Sequence, residues 1–310
     1  MGEATLAPRR YLQRTHSLTQ RLGLSWDRPL PWLSLAMLWL LSFSIFPLIF
    51  ALYRSLYEFD AVQGSFVYVG LDNWQRLLQD PRAWNALWVT TKYVIMGLAI
   101  ELILGFAIAL LYNQDPFGIN IFRSALILPM VVPPAVTALM FQLMEHSEFG
   151  VLSYYFYLFH FLDPSEPLLG GTGRYAMVAI LLPEIWQWTP FMALILLAGL
   201  RALPTEPFEA AQIDGANAWQ RFRYLTVPLL KPVLAIAILL RAIDLFRVFD
   251  YVYILTAGGP GTRTEVLSYY AWRTTFAYIN WGYGLTLGLF MLIILVLIGN
   301  IMVRSLRLRW

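Results

Sequence analysis

The chain has 310 residues, of which 59% are hydrophobic and 13% charged, with a mean hydropathy of +0.59; a soluble domain carries about a quarter charged residues, so water is not its main solvent. The absence of cysteine excludes a disulfide framework, a thiolate metal site and a cysteine nucleophile. A net charge of +3 on such a chain reflects basic cytoplasmic loops, and no nucleic acid is expected as a partner.

The first long apolar run begins at Leu30 and reaches about Tyr53, enough at 1.5 Å per residue to cross a hydrocarbon core. Arg9, Arg10, Arg14, Arg21 and Arg28 precede it. The basic stretch and the apolar run do not fit a cleaved signal peptide, so the run is expected to remain as an anchor behind a tail over 1–29. Further runs lie at about 89–112, 121–144, 175–200, 228–257 and 283–303. They predict an all-α membrane protein with six spans in one domain over 30–303, a loop over 201–227 and a short tail over 304–310. With six crossings, thirteen basic residues fall on the side of the termini and seven on the other, so both termini are expected in the cytoplasm.

The outer loops 58–88 and 145–174 are longer than connectors need to be. Their Trp74, Trp84, Trp88, Tyr154, Tyr155 and Tyr157 suit an interfacial aromatic belt, an extracytoplasmic partner, or both. In span two, Glu101 is a buried acid. Pro129, Pro133 and Pro134 are expected to bend span three, and Pro190 to kink span four just after Glu184, Trp186, Gln187 and Trp188.

Span five carries Arg241, Asp244, Arg247 and Asp250 at three-residue intervals, which on one helix form a slowly drifting stripe. Facing lipid, each would cost roughly 2.5–3.5 kcal/mol, so they must face protein or water. Tyr251 joins the same side. Carboxylates, guanidiniums, amides and aromatic rings together suit a polyol path lined by spans five and four. The alternatives are a self-neutralising network between helices and a proton relay in an ion-coupled secondary transporter. The glycines of Gly258, Gly259 and Pro260 then break the chain into the last outer loop.

The loop between spans four and five reads as a short helix, a turn and a second helix. Pro207 and Glu209 favour a helix start, Ala210 and Ala211 permit close approach of a partner, and Gly215 allows a sharp turn. No Gly-rich phosphate loop occurs, so ATP is not expected to bind this chain by that device. His16, His146 and His160 follow no metal-ligand spacing, so no metal site is expected.

Glu209, Ala210 and Ala211, then Asp214, Gly215 and Ala216, then Val227 and Pro228 resemble the EAA loop of the membrane subunits of ABC importers. The resemblance implies that Glu209, Ala210, Ala211, Asp214 and Gly215 couple this chain to an ATPase subunit. Val69 to Trp74, Leu128 and Pro129 with Val132 to Pro134, and Phe249 and Asp250 with Thr256 to Pro260 are similar to landmarks of the maltose, trehalose and glycerol-phosphate permeases. No extra N-terminal spans or large periplasmic insertion of the enterobacterial maltose type are seen, so the compact six-span members are the expected relatives. The resemblance further implies a type I importer permease in the inner membrane of a prokaryote, with no cofactor of its own and no catalysis. Its expected partners are a second permease subunit, two ATP-binding subunits that carry ATP and Mg, an extracytoplasmic sugar-binding protein facing Gly258 to Pro260, and membrane lipid. A disaccharide such as trehalose or maltose is the expected solute, with glycerol phosphate or another polyol as the alternative.

Overall fold

The computed structural model describes residues 30–60, 64–115, 118–161, 163 and 166–305. The expected tail over 1–29 and most of that over 304–310 lie outside the described residues. The chain divides into two compact units, residues 1–54 and 55–310. In the first, α1 (Leu30–Arg54) is one apolar helix whose 25 residues rise about 37 Å. Its Ser42 hydroxyl is satisfied within the helix, donating to Leu38 O at 2.7 Å.

The second unit opens with an antiparallel hairpin of β1 (Tyr57–Asp60) and β2 (Ser65–Tyr68), with Tyr57 opposite Tyr68. Gly70, at a φ of 59°, turns the chain into α2 (Asp72–Gln79). Asn73 is buried there and donates its amide to Ser55 O at 2.9 Å and Tyr57 O at 3.1 Å, fixing α2 to the hairpin. α3 (Pro81–Tyr112) begins well before the expected Val89. Asp80 caps it by accepting from the Arg82 amide at 2.8 Å, and Pro81 fills the first turn, where its missing N–H costs nothing.

Three helices form the centre of this unit: α3, α7 (Ala176–Arg201) and α10 (Val227–Phe246). α7 runs parallel to α3 and α10 antiparallel. On α3 the buried residues Gly97, Glu101, Gly105 and Ala109 recur every four positions and so lie on one stripe. The small members let the backbones approach closely. A Cβ on Gly105 would sit 2.7 Å from Met192 Cγ and 3.0 Å from the Ala193 amide nitrogen, and one on Gly97 3.0 Å from a Leu245 methyl.

α4 (Ile119–Val131) and α5 (Pro134–Met144) take the place of a straight third span and meet at an angle of 98°. Val132 precedes Pro133 and Pro133 precedes Pro134; the α region is disfavoured before proline, and both residues are extended, with ψ of 131° and 139°. The remaining α-helices among the described residues are α6 (Val151–Leu158), α8 (Glu206–Ile213), α9 (Ala218–Arg221), α11 (Leu267–Trp272) and α12 (Trp281–Ser305), with wider π-type turns over Phe222–Thr226, Val252–Thr256 and Arg273–Ala277.

Among the described residues α1, α3, α7 and α12 are long and apolar enough to cross a membrane, and the bent pair α4 and α5 makes a fifth crossing if taken as one. α10 has 20 residues but includes Lys231, Arg241 and Asp244. It also ends at Phe246, short of the expected Ala257; Arg247 leaves the helix at φ −96° and ψ 6°. Helical turns resume over 250–256.

At the far end of α3, Arg82 grips the buried Glu265 through Nε at 2.6 Å and Nη2 at 2.7 Å, and Tyr270 and Tyr283 both donate to Asp80. Burial opposes the charge of Asp80, but the hydrogen bonds from Tyr283, Tyr270 and the amides of Arg82 and Ala83 together outweigh it and hold the carboxyl below its ordinary value.

The stripe on α3 gives a stability prediction. Gly105→Ala forces α3 and α7 apart and is expected to lower stability by about 1–3 kcal/mol, the range for an overpacked core. Gly288→Ala, whose added Cβ meets nothing within 4 Å in the interior of α12, should not lower the thermal unfolding midpoint of the detergent-solubilised chain and, by helix propensity, should raise it slightly.

Candidate functional site

Arg241, in the middle of the three central helices, is 1% exposed. Its Nε and Nη2 donate to the two carboxylate oxygens of Glu101 at 2.7 and 2.8 Å, Nη2 also to Glu184 Oε1 at 2.6 Å, and Nη1 to Asp244 Oδ2 at 2.8 Å. The guanidinium lies 5.0 Å from the centre of the Trp188 ring. Tyr93 completes the cluster by donating to the other oxygen of Glu184 at 2.8 Å. The planar guanidinium with its five donors suits this arrangement, which a lysine could not reproduce. Glu101 lies about 17 Å from the Tyr112 end of α3, so the cluster sits near mid-membrane depth. It ties α3, α7 and α10 to one another around a guanidinium that is itself buried.

Beside the cluster, two interrupted helices meet at Gln187, which is fully buried. Its Nε2 donates to Val132 O at the break between α4 and α5, at 2.5 Å, and its Oε1 accepts from Tyr251 at 2.5 Å, just past the end of α10. Val132 lies in the extended break between α4 and α5, so its carbonyl has no helical N–H to accept and is served by this side chain instead. The second break is served likewise, Ser268 donating to Val248 O, and Gln142 of α5 donates to Ile254 O at 3.0 Å near the end of the turns that follow.

The four expected charges of span five therefore do not form one ladder, because α10 stops at Phe246. Arg241 turns inward to acids on other helices. Asp244 is half exposed, Arg247 exposed and Asp250 half-buried, and among the described residues neither Arg247 nor Asp250 enters an ion pair. Tyr251 is buried against Gln187 rather than continuing the Asp244 side. Glu184, Gln187 and Trp188 join the network, whereas Trp186 points elsewhere and packs on Phe141, ring centres 5.8 Å apart. Sequence reasoning noted Glu101 as buried but did not pair it with Arg241, and it missed Tyr93. A single acid in an otherwise apolar span was the available signal, since such a group needs a partner from another span.

The residues of the 201–227 loop form the expected helix, turn and helix. None of the eight residues of α8 is buried, and Ile213 is 87% exposed. Glu209, Ala210, Asp214 and Gly215 are exposed, Ala211 is half-buried, and Gly215 makes the turn at a φ of 80°. Asn217 and Gln220 cap α9 reciprocally, and Phe222 in the next turn packs on Phe106 of α3, ring centres 5.5 Å apart. A cavity of about 340 Å³ separates α8 from the ends of α3 and α7.

The loop at Gly258, Gly259 and Pro260 is tightly packed. Thr264 donates its hydroxyl to Gly259 O at 2.8 Å, a Cβ on Gly258 would touch the Tyr269 ring at 2.9 Å, and one on Gly173 would overlap Pro260. Gly261 and Arg263 form its exposed tip.

Residues 101–310, which hold the Arg241 cluster apart from Tyr93, both breaks and the α8 loop, match the family described as the inner membrane component of binding-protein-dependent transport systems. The chain belongs to this family. The permease is 40% identical over 219 residues to the trehalose/maltose transport system permease protein MalF of Thermococcus litoralis, covering 70% of this chain and 72% of that one. It is 34% identical over 227 residues to the trehalose transport system permease protein SugA of Mycobacterium tuberculosis, covering 72% and 71%. Among solved structures it superposes on a bacterial ABC transporter involved in import of the acidic polysaccharide alginate, with a TM-score of 0.75 over 96% of this chain and 98% of that one, at 18% identity. A second structure of a bacterial alginate ABC transporter, in complex with an alginate pentasaccharide-bound periplasmic protein, gives a TM-score of 0.71 over 96% of both chains at 21% identity. The fold is that of an ABC importer permease, a transport subunit and not an enzyme.

Removing Arg241 would leave Glu101 and Glu184 buried without a counter-charge. Arg241→Met is expected to cost about 3–5 kcal/mol, as for breaking a buried pair. Arg247→Ala, at an exposed position, should change stability by less than about 0.5 kcal/mol. Denaturant unfolding of the two variants in the same detergent compares them.

Proposed function

We propose that this permease is one of two membrane subunits of an ATP-driven importer that carries a sugar, a disaccharide of the trehalose or maltose type, inward by alternating access. The observation that carries the reading is the meeting of two broken helices at Gln187 beside the Arg241 cluster. Interrupted helices at membrane depth are tolerated where they are buried in protein or line a cavity, and they supply backbone groups and pivots that a straight helix lacks. In this reading Arg241, Glu101, Glu184, Gln187 and Tyr251 are the frame, since their polar groups already bond one another. Asp244, Arg247, Asp250 and Trp188 offer the groups that a passing polyol meets. Six spans, with α10 as the fifth and both termini in the cytoplasm of a prokaryote, complete the arrangement.

α8 is the element through which ATP hydrolysis acts. An isolated helix of eight residues is marginal in water, and this one has no buried residue, so docking into an ATPase subunit supplies its missing packing. ATP and Mg are held by two such subunits, and a sugar-binding protein delivers the solute on the outer side near Gly261 and Arg263. The relatives named for trehalose and maltose support the choice of solute. Glycerol phosphate or another anionic polyol is the second reading, favoured by the exposed Arg247, which among the described residues has no acidic partner.

Proteoliposomes holding the permease with its copurifying subunits and receptor test this directly. Labelled trehalose or maltose is expected to accumulate only with ATP, and to do so equally when a proton uncoupler is present. Uptake abolished by the uncoupler at constant ATP would instead establish an ion-coupled carrier. Asp244→Ala and Arg247→Ala should each weaken apparent solute affinity; an unchanged affinity in both would remove them from the path.

A further inference from the structure

Between the end of α5 and the start of α7, the segment 149–161 contains seven aromatic residues and no aspartate, glutamate, lysine or arginine. It includes α6, which is apolar on both faces. Leu152, Phe156 and Tyr157 pack inward against clusters that include Ile180, Leu168 and Ala179. Val151, Tyr154, Tyr155 and Leu158, spaced as one helical face, are exposed, as are Phe149, Phe159 and Phe161, the last at 70%. The helix is held at a fixed angle. Ser153 donates to Glu145 O at 2.8 Å, the Gly150 amide donates to His146 O at 2.9 Å, and a Cβ on Gly150 would lie within 2.5 Å of the His146 backbone. The exposed apolar face therefore cannot roll inward.

We propose that α6 is an interfacial anchor, with its Val151, Tyr154, Tyr155, Leu158 and Phe159 face lying in the headgroup region of the bilayer and lipid as its partner. The inference rests on the membrane placement proposed above. A surface kept free for a soluble protein has to tolerate water between encounters, and a contiguous apolar face with no charge does so poorly. Tyrosine-rich apolar helices instead settle at the membrane interface, their apolar faces about 5–10 Å into the headgroup and acyl boundary. The preceding α5, read as part of a membrane crossing, likewise exposes apolar side chains at Val136, Leu139, Met140 and Leu143. Charged side chains flank the segment and do not interrupt it, Glu148 before and Asp163 and Glu166 after. Burial pushes the Glu145 carboxyl up to about 9, so it adds no charge at neutral pH. Because the flanking charges are acidic, attachment depends on apolar and aromatic groups and needs no anionic lipid.

The natural absence of cysteine makes the test direct. Single variants Tyr155→Cys and Phe159→Cys, with Leu139→Cys on α5 and Thr172→Cys in the following loop as references, are spin-labelled in the full chain in nanodiscs of neutral phosphatidylcholine. Collision with oxygen is compared with collision with a water-soluble nickel chelate. The α6 labels are expected to favour oxygen, as the α5 label does, while the Thr172 label favours nickel. Nickel access at the α6 positions equal to that at Thr172 would overturn the proposal, as would protection from both reagents, which means a protein cover. An α5 label that also favours nickel would overturn the membrane placement itself, which separates the two failures.

Discussion

The guanidinium of Arg241 fixes the rest of the structure. A guanidinium buried this deeply needs counter-charges from the protein, and they come from α3, α7 and its own helix. That demand sets the packing. Glu101 reaches the guanidinium only because Gly97 and Gly105, on either side of it along the stripe, let α7 and α10 approach the α3 backbone. Small residues and buried charge are therefore one feature: the glycines bring the helices to the distance that the ion cluster needs.

Around this rigid centre the chain places its irregular backbone. The α4–α5 bend and the end of α10 both release carbonyls that helices would otherwise satisfy, and side chains from neighbouring elements take them up. The frame is thus stiff where α3, α7 and α10 cross and jointed beside it. The α8 loop lies at the other extreme, with no buried residue and a cavity between it and the helices above. Its order depends on what it meets outside this chain.

Much of this was legible in the sequence. Run length and composition marked the apolar helices, Pro129, Pro133 and Pro134 marked the bend, and Pro207 and Gly215 marked the helix and turn of the α8 loop. The start of α3 was legible as well, in Asp80 and Pro81, but the polar outer turns hid it from hydropathy. What escaped depends on distant residues. Arg241 and Glu101 lie 140 positions apart, and no local pattern joins them. The end of α10 at Phe246 has neither proline nor glycine nearby; the spacing of Arg241, Asp244, Arg247 and Asp250 therefore suggested a continuous helix where tertiary bonds to Val248 and Tyr251 hold a broken one.

The position of Gln187 has a mechanical consequence. One amide group serves both breaks, its nitrogen on the Val132 carbonyl and its oxygen on the Tyr251 hydroxyl. A primary amide is planar, so its donor and acceptor ends cannot reorient independently. Rotation at either break turns the same plate and loads the bond at the other. The two breaks are therefore not independent: a single side chain of α7 sets the geometry at both, and the bend of α4 and α5 is tied through it to the chain that follows α10.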